Sequence, residues 1–192
     1  MHPLVLASSS PYRRQLLARL CVPFDCNSPD IDESPHPNED ATSLVRRLSL
    51  EKAQALRDHY PQHLIIGSDQ VAVLNSQILG KPHTFERAEQ QLRAASGNSV
   101  SFLTGLTLFN SANNTYQTDC VPFTVHFRTL SDAQIKRYLE AEQPFDCAGS
   151  FKAEGLGISL FKSTEGKDVN SLIGLPLIRL VDMLNNEGIE LP

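Results

Sequence analysis

Apolar and polar positions alternate with two different periods along this chain, and the changes of period mark its elements. Pro3 to Ala7 is a short apolar run ending in the cluster Ser8-Ser9-Ser10-Pro11, after which Leu16, Leu17 and Leu20 recur at helical spacing. The pattern predicts a strand, a turn and a helix, with Ser10 as N-cap and Pro11 at the first helical position, where a missing N–H leaves no intrahelical acceptor unmet. A second helix is predicted from about Asp40 to Tyr60, burying Leu44, Val45, Leu48 and Leu56, with Pro61 closing it. The intervening CNSPDIDESPHPNED reads as loop because its prolines, serines and acids oppose regular structure.

From His63 the apolar LIIG runs into the alternating SDQVAVLN, which predicts a strand to Leu74, and a third helix follows from about Thr84 to Ala95. Val100 to Phe109 and Tyr116 to Phe127 are rich in β-branched and aromatic residues and flank the turn-forming NSANNT, as in an antiparallel hairpin. Ser131 and Gln134 form a capping box for a helix that Pro144 ends. Gly174 and Pro176 open a last helix running toward Gly188. No repeat is present. The order is mixed α/β without the regular βαβ rhythm of a doubly wound sheet, and 192 residues suit one folding unit over 1–192, with a single core or two closely joined lobes.

Composition narrows the function classes. With 22 acidic against 17 basic residues the net charge is −5, which opposes a broad nucleic-acid surface, so any polyanion site must be local. No apolar run is long enough to span a bilayer, and MHPLVLASSS lacks the basic leader and apolar stretch of a signal peptide, so a cytoplasmic location with no membrane partner is expected. The four cysteines, Cys21, Cys26, Cys120 and Cys147, form no CxxC pair and are too sparse for a disulfide framework; reduced thiols are expected. His59 and His63 are separated by Pro61, which breaks the helical geometry of a two-histidine metal site.

Several segments carry charge where chemistry could use it. Ser8 to Arg14 gathers hydroxyls, free backbone N–H groups and two guanidiniums at the positive end of a helix, which makes an anion site or simply a capped helix with solvated arginines. Asp30, Asp32 and Glu33 concentrate hard oxygen ligands suited to Mg²⁺ or Mn²⁺, unless they are merely solvated. Lys52 by itself reads as a surface lysine near the edge of a helix's buried face. Asp69 follows an apolar strand and needs a partner, a metal or a use. Gly80-Lys81-Pro82 is a turn with a fixed lysine. Lys152 and Glu154 share a loop with Gly149, Gly155 and Gly157, glycines that either admit a flat ligand or only loosen the chain. No Walker loop, dinucleotide fingerprint, nucleophile elbow or zinc-protease motif is present.

Read in order, LVLASSSPYRRQLL, DIDES, LSLEKA, IIGSDQV, LGKP and GSFKAEGLG resemble the motifs of the Maf nucleotide pyrophosphatase family, from Leu4 to about Pro176. The resemblance implies an α/β fold with a mixed elongated central sheet, flanking helices and two lobes around a cleft, similar to inosine triphosphate pyrophosphatases. It also implies cleavage of a nucleoside triphosphate between its α- and β-phosphates with a divalent metal ion as cofactor. Carried over position by position, Ser8, Arg13, Arg14, Lys52 and Lys81 are implied phosphate ligands, Glu33 a metal-site acid and Asp69 the general base. Tyr12, Gln70 and Glu154 resemble the branch acting on 7-methyl-GTP; the branch similar to dTTP and UTP pyrophosphatases has Arg, Thr and Gln there. N7-methylated guanine is a cation, which a tyrosine face attracts and a carboxylate balances while accepting from N1–H and N2–H. The expected partner is therefore a small nucleotide and no nucleic acid, with a homodimer the expected assembly. The competing expectations are a dTTP/UTP or broader pyrophosphatase, and a non-catalytic nucleotide-binding regulator of septum formation.

Overall fold

A computed structural model describes residues 3–191. Its strands form one mixed seven-stranded sheet in the order β2-β1-β3-β5-β6-β7, with β4 paired to β3, and the chain divides into two compact units. The first unit contains residues 1–70, 104–121 and 168–192, and the second contains 71–103 and 122–167.

In the first unit β1 (Leu4–Ala7) lies parallel to β2 (Phe24–Asn27) and to the start of β3 (Leu64–Leu74), with Leu4 opposite both Phe24 and Leu64. Strand alternation sorts β3 into two faces. Leu64 and Ile66 join Leu4, Leu6, Leu106 and Leu108 in a core with α1 (Pro11–Ala18) and α6 (Leu177–Asn186). Ile65 points the other way, packing with Val5, Ala7, Phe109 and Ala53 of α2 (Ala41–Gln54). Gly67 and Gly105 sit where a Cβ would run into the α2 backbone at Ser49 and Ala53, and at Val45 and Arg46, respectively. A close approach of helix to sheet is what requires glycine at these two positions. A short helix, α5 (Val169–Ile173), precedes α6.

The second unit holds β4 (Gln77–Leu79), antiparallel to the end of β3, and β7 (Phe161–Gly166), antiparallel to β6 (Thr115–Phe127). It also contains α3 (Phe85–Ala95) and α4 (Asp132–Glu142). Its core is aromatic: Phe102, Phe127, Phe151 and Phe161 meet edge to face with ring centroids 4.9–5.6 Å apart, the arrangement ring quadrupoles prefer. The predicted hairpin is β5 (Ser99–Asn110) with β6. Hydroxyl pairs Ser101 with Thr124 and Thr107 with Thr118 give it an antiparallel register.

Three sequence expectations differ from the structure. The region expected to be loop from Cys26 begins inside β2, a four-residue edge strand with exposed Asp25 and Cys26 at its centre and hence little burial signature. The second helix stops at Gln54 and continues to Tyr60 only as turns. Gly174 does not open the last helix; it terminates α5 at φ 122°, and α6 begins at Leu177. The Ser10 N-cap, the Ser131/Gln134 capping box and the third helix agree with expectation.

Candidate functional site

The apolar run of β3 gives way to polar residues within one turn of pleat. Asp69, two residues after Gly67, shares its face and is therefore directed at α2. Because Gly67 and Gly105 let that helix approach closely, the Lys52 ammonium reaches Asp69 Oδ1 at 2.7 Å. Both residues are only 7% exposed. Lys52 is thus not the surface lysine its local sequence suggested: α2 turns its last full turn inward, and burial is offset by pairing. The same ammonium lies 3.0 Å from Glu33 Oε1, on a carboxylate that stays 59% exposed at the end of its loop.

Arg13 belongs to this group. Its Nε donates to the Gly174 carbonyl at 2.8 Å, and its charge interacts with Asp69 and Glu33. Burial moves the guanidinium below its ordinary pKa and the two carboxylates pull it back up; a guanidinium so placed remains a cation. The first turn of α1 places it there, since Ser10 accepts from the Arg13 N–H as N-cap and Pro11 fixes the entry of the chain. Ser8 is buried and its Oγ accepts from the Ser10 N–H at 3.1 Å, a contact that uses a lone pair and not the hydroxyl proton. Tyr12 is half-buried and Arg14 exposed on the same turn. Arg14 lies close enough to Cys26 on β2 to oppose the upward push that burial gives that thiol.

Gln70 faces away from Asp69, as alternation requires. Its Nε2 donates to Thr104 Oγ1 at 3.0 Å and to the carbonyls of Ser171 at 2.6 Å and Leu172 at 3.2 Å. The amide nitrogen is therefore engaged with α5.

In the second unit Lys81 and Glu154 are both exposed. The loop that carries Glu154 is held by α4: Glu142 Oε2 accepts from the Leu156 N–H at 2.8 Å, and the Tyr138 hydroxyl accepts from the Lys152 N–H at 3.0 Å. Lys152 Nζ donates to the Glu142 carbonyl at 3.0 Å. Gly149 has φ 74°, a backbone state that favours glycine, against the Phe102 ring, and a Cβ on Gly155 would displace the Glu142 carboxylate. The Cys147 thiol is pushed up to about 11, first by burial and then by the charge of Glu154. All four cysteines are free thiols.

Among the described residues no three His, Cys, Asp or Glu side chains gather as a metal cluster, and no helix is long and apolar enough to cross a membrane. The carboxylates nearest each other across Lys52 are Glu33 and Asp69. Such a sparse oxygen set fits a hard ion like Mg²⁺, which is commonly held by one or two carboxylates and otherwise by water and substrate phosphates.

Of the residues expected at the site, the structure brings Arg13, Lys52, Asp69 and Glu33 together in one unit. Sequence reasoning did not single out Ser68, Thr104, Glu142 or Asp168, and it named Gly174 only as a helix start. For Ser68 a signal existed, a polar residue inside a buried run; the others act through contacts distant in sequence.

The chain matches the profile of the family described as Maf-like protein over residues 3–187. It is 71% identical over 192 residues, the whole of both chains, to the 7-methyl-GTP pyrophosphatase of Pseudomonas savastanoi pv. phaseolicola. It is 69% identical over 192 residues, again the whole of both, to that of Pseudomonas aeruginosa. To that of Alcanivorax borkumensis it is 60% identical over 189 residues, covering 98% of this chain and 96% of the other. Protein VC0702 from Vibrio cholerae is similar in structure at a TM-score of 0.35 and 8% identity, over 74% of this chain and 72% of that one, a likeness too slight to bear on the fold.

Proposed function

Starting from the fact that this chain belongs to the Maf-like protein family, we propose that it is a nucleoside triphosphate pyrophosphatase that converts 7-methyl-GTP and water to 7-methyl-GMP and pyrophosphate. The observation that carries the reading is the buried Lys52–Asp69 pair with Glu33 and Arg13 around it. The full-length relatives of 60–71% identity named 7-methyl-GTP pyrophosphatase support the choice of substrate.

Each residue has a defined task in this reading. Arg13, Arg14, Lys52 and Lys81 neutralise phosphate oxygens, and Ser8 offers its hydroxyl proton to another, so that water can approach the α-phosphorus of a polyanion. Asp69 takes the proton from that water as its oxygen bonds to phosphorus. The bond from the α-phosphorus to the oxygen bridging it to the β-phosphorus breaks, and pyrophosphate leaves with the bonding pair. Glu33, together with the phosphates, would hold a divalent ion, which would supply charge neutralisation for the leaving group. Lys52 ties Glu33 to Asp69, which holds the exposed acid of the loop next to the buried one.

Base selection falls to Tyr12, Glu154 and Gln70. The Tyr12 ring attracts the cationic base, but a cation–π contact of roughly 0.5–2 kcal/mol gives at most about thirtyfold preference. Glu154, exposed and carried on a loop that Glu142 and Tyr138 hold, adds charge balance and two hydrogen-bond acceptors. Gln70 acts by holding α5, since its amide nitrogen is engaged there. A cytoplasmic nucleotide pool is the setting this substrate implies.

The test is a panel of 7-methyl-GTP, GTP, dTTP and UTP with Mg²⁺ or Mn²⁺, scored for products. Monophosphate plus pyrophosphate, with the highest kcat/KM on 7-methyl-GTP, is expected. Diphosphate plus phosphate would place the attack on the γ-phosphorus and end the proposal. Equal use of dTTP would return the chain to the broader pyrophosphatase class.

A further inference from the structure

The face of β3 opposite Asp69 carries a second arrangement. Ser68 is fully buried, and its Oγ lies 2.9 Å from the Gly105 carbonyl oxygen and 3.0 Å from that of Gly174. A serine has a single hydroxyl proton, so the two carbonyls share one donor. The Gly174 oxygen also accepts from Arg13 Nε at 2.8 Å. Nε is the inner edge of the planar guanidinium. Anchoring it sets the plane and directs the terminal nitrogens away from the carbonyl.

The acceptor is itself built to stay in place. Gly174 ends α5 at φ 122°, a backbone state that side chains strain to adopt, and a Cβ there would lie 3.4 Å from Arg13 Nε. Asp168, buried at the start of α5, accepts from the Asn170 N–H at 2.9 Å and the Ile178 N–H at 2.8 Å, which ties the two ends of the segment together. Thr104 Oγ1 and Gln70 Nε2 both donate to the Ser171 carbonyl, at 2.8 and 2.6 Å. The segment is held from below by β3 and β5, and it presents one carbonyl to the arginine.

We propose that Ser68 is a positioning residue for Arg13, acting through the shared Gly174 carbonyl to fix the guanidinium in its phosphate-binding orientation. The inference rests on the reading of Arg13 as a phosphate ligand. One strand thereby prepares both halves of the site: Asp69 on one face meets Lys52 directly, and Ser68 on the other steadies Arg13 at one remove.

The experiment measures binding of inorganic triphosphate by calorimetry with divalent ions chelated, so that neither base recognition nor turnover contributes. Ser68→Ala is introduced into the wild-type protein and into Arg13→Ala and Arg13→Lys backgrounds, and the melting temperature of each variant is recorded. In the wild-type background Ser68→Ala weakens binding by about fivefold, the scale of one hydrogen bond. In both arginine variants its effect falls below about twofold, because the contact through which it acts is gone. The fall in melting temperature is the same in every background. Equal weakening of binding in all three backgrounds, or none in the wild type, overturns the proposal, since Ser68 would then serve only the fold. If Arg13→Ala itself binds triphosphate with unchanged affinity, Arg13 is no phosphate ligand, and that result identifies the functional reading as the failure that takes the proposal with it.

Discussion

The surroundings of Asp69 in the first unit and the loop bearing Glu154 in the second solve different problems. Around Asp69 a buried pair, Lys52 and Asp69 at 2.7 Å, is brought together by a helix pressed onto glycines of a sheet, with the exposed Glu33 3.0 Å from the same ammonium. The Glu154 carboxylate is exposed, and it is the loop beneath it that is tied, through Glu142 and the Tyr138 hydroxyl. A bond-breaking group loses its value if displaced by a fraction of an ångström. A base-reading group must differ between substrates and so can sit on an adaptable loop over a firm support. On the proposed reading, chemistry falls to the first region and selection to the second.

The largest effect that could break this division is that of Asp69→Asn. Turnover should fall by about 10²–10⁴-fold, the worth of a general base, and by the same factor for 7-methyl-GTP, GTP and dTTP, with nucleotide binding retained in calorimetry. Near wild-type turnover would remove Asp69 from the chemistry, and a loss confined to one base would blur the boundary between the regions.

Next comes Gly67→Ala. The added methyl meets the α2 backbone at Ser49 and Ala53, so a stability loss of about 1–3 kcal/mol is expected in denaturant titration. A drop in kcat/KM should accompany it because α2 carries Lys52. Unchanged activity at reduced stability would mean that Lys52 tolerates displacement, and that the site is less rigid than its packing implies.

Glu154→Gln sharpens the comparison from the other side. The ratio of kcat/KM for 7-methyl-GTP over dTTP should fall by roughly tenfold, the worth of about 1.4 kcal/mol, with kcat on dTTP little altered. Glu142→Ala should lower the same ratio less, since it leaves the carboxylate present but its loop unsupported, and should cost about 1 kcal/mol of stability. An undiminished ratio in both variants would take the loop out of substrate selection.

The smallest expected effect lies on α2 itself, at the surface pair of Arg47 and Glu39. Arg47 holds the Glu39 carboxylate at about 2, well below its ordinary value of 4.5. A depressed carboxylate stabilises the fold above its unfolded pKa, and that contribution is lost as pH falls from about 4.5 toward 2. Arg47→Ala should therefore move the acid-unfolding midpoint slightly upward, as checked by circular dichroism against pH.

Much of this protein was legible along the chain because burial imposes a period on sequence. The apolar run before Asp69, the capped helix carrying Arg13 and the β5–β6 hairpin each bury a regular face, so their residues repeat at that face's spacing. Asp69 itself stood out as a carboxylate at the end of a buried run. Edge strand β2 and short helix α5 left no such trace, because one buries only part of four residues and the other lasts little more than a turn. The inward turn of Lys52 was equally hidden, since a lysine at the margin of a helical face is buried or exposed according to what packs there.

What the sequence determined by itself was the inventory: which segments bury a face, which carry unpaired charge, and that the negative total charge leaves room only for a local anion site. What only tertiary structure decided was partnership. That Ser68 reaches the carbonyl of Gly174 across 106 positions, and that Lys52 meets Asp69 because two glycines admit a helix to the sheet, are matters of three-dimensional proximity. Local spacing encodes which way a side chain points along its own element, but the group it meets is chosen by how separate elements pack.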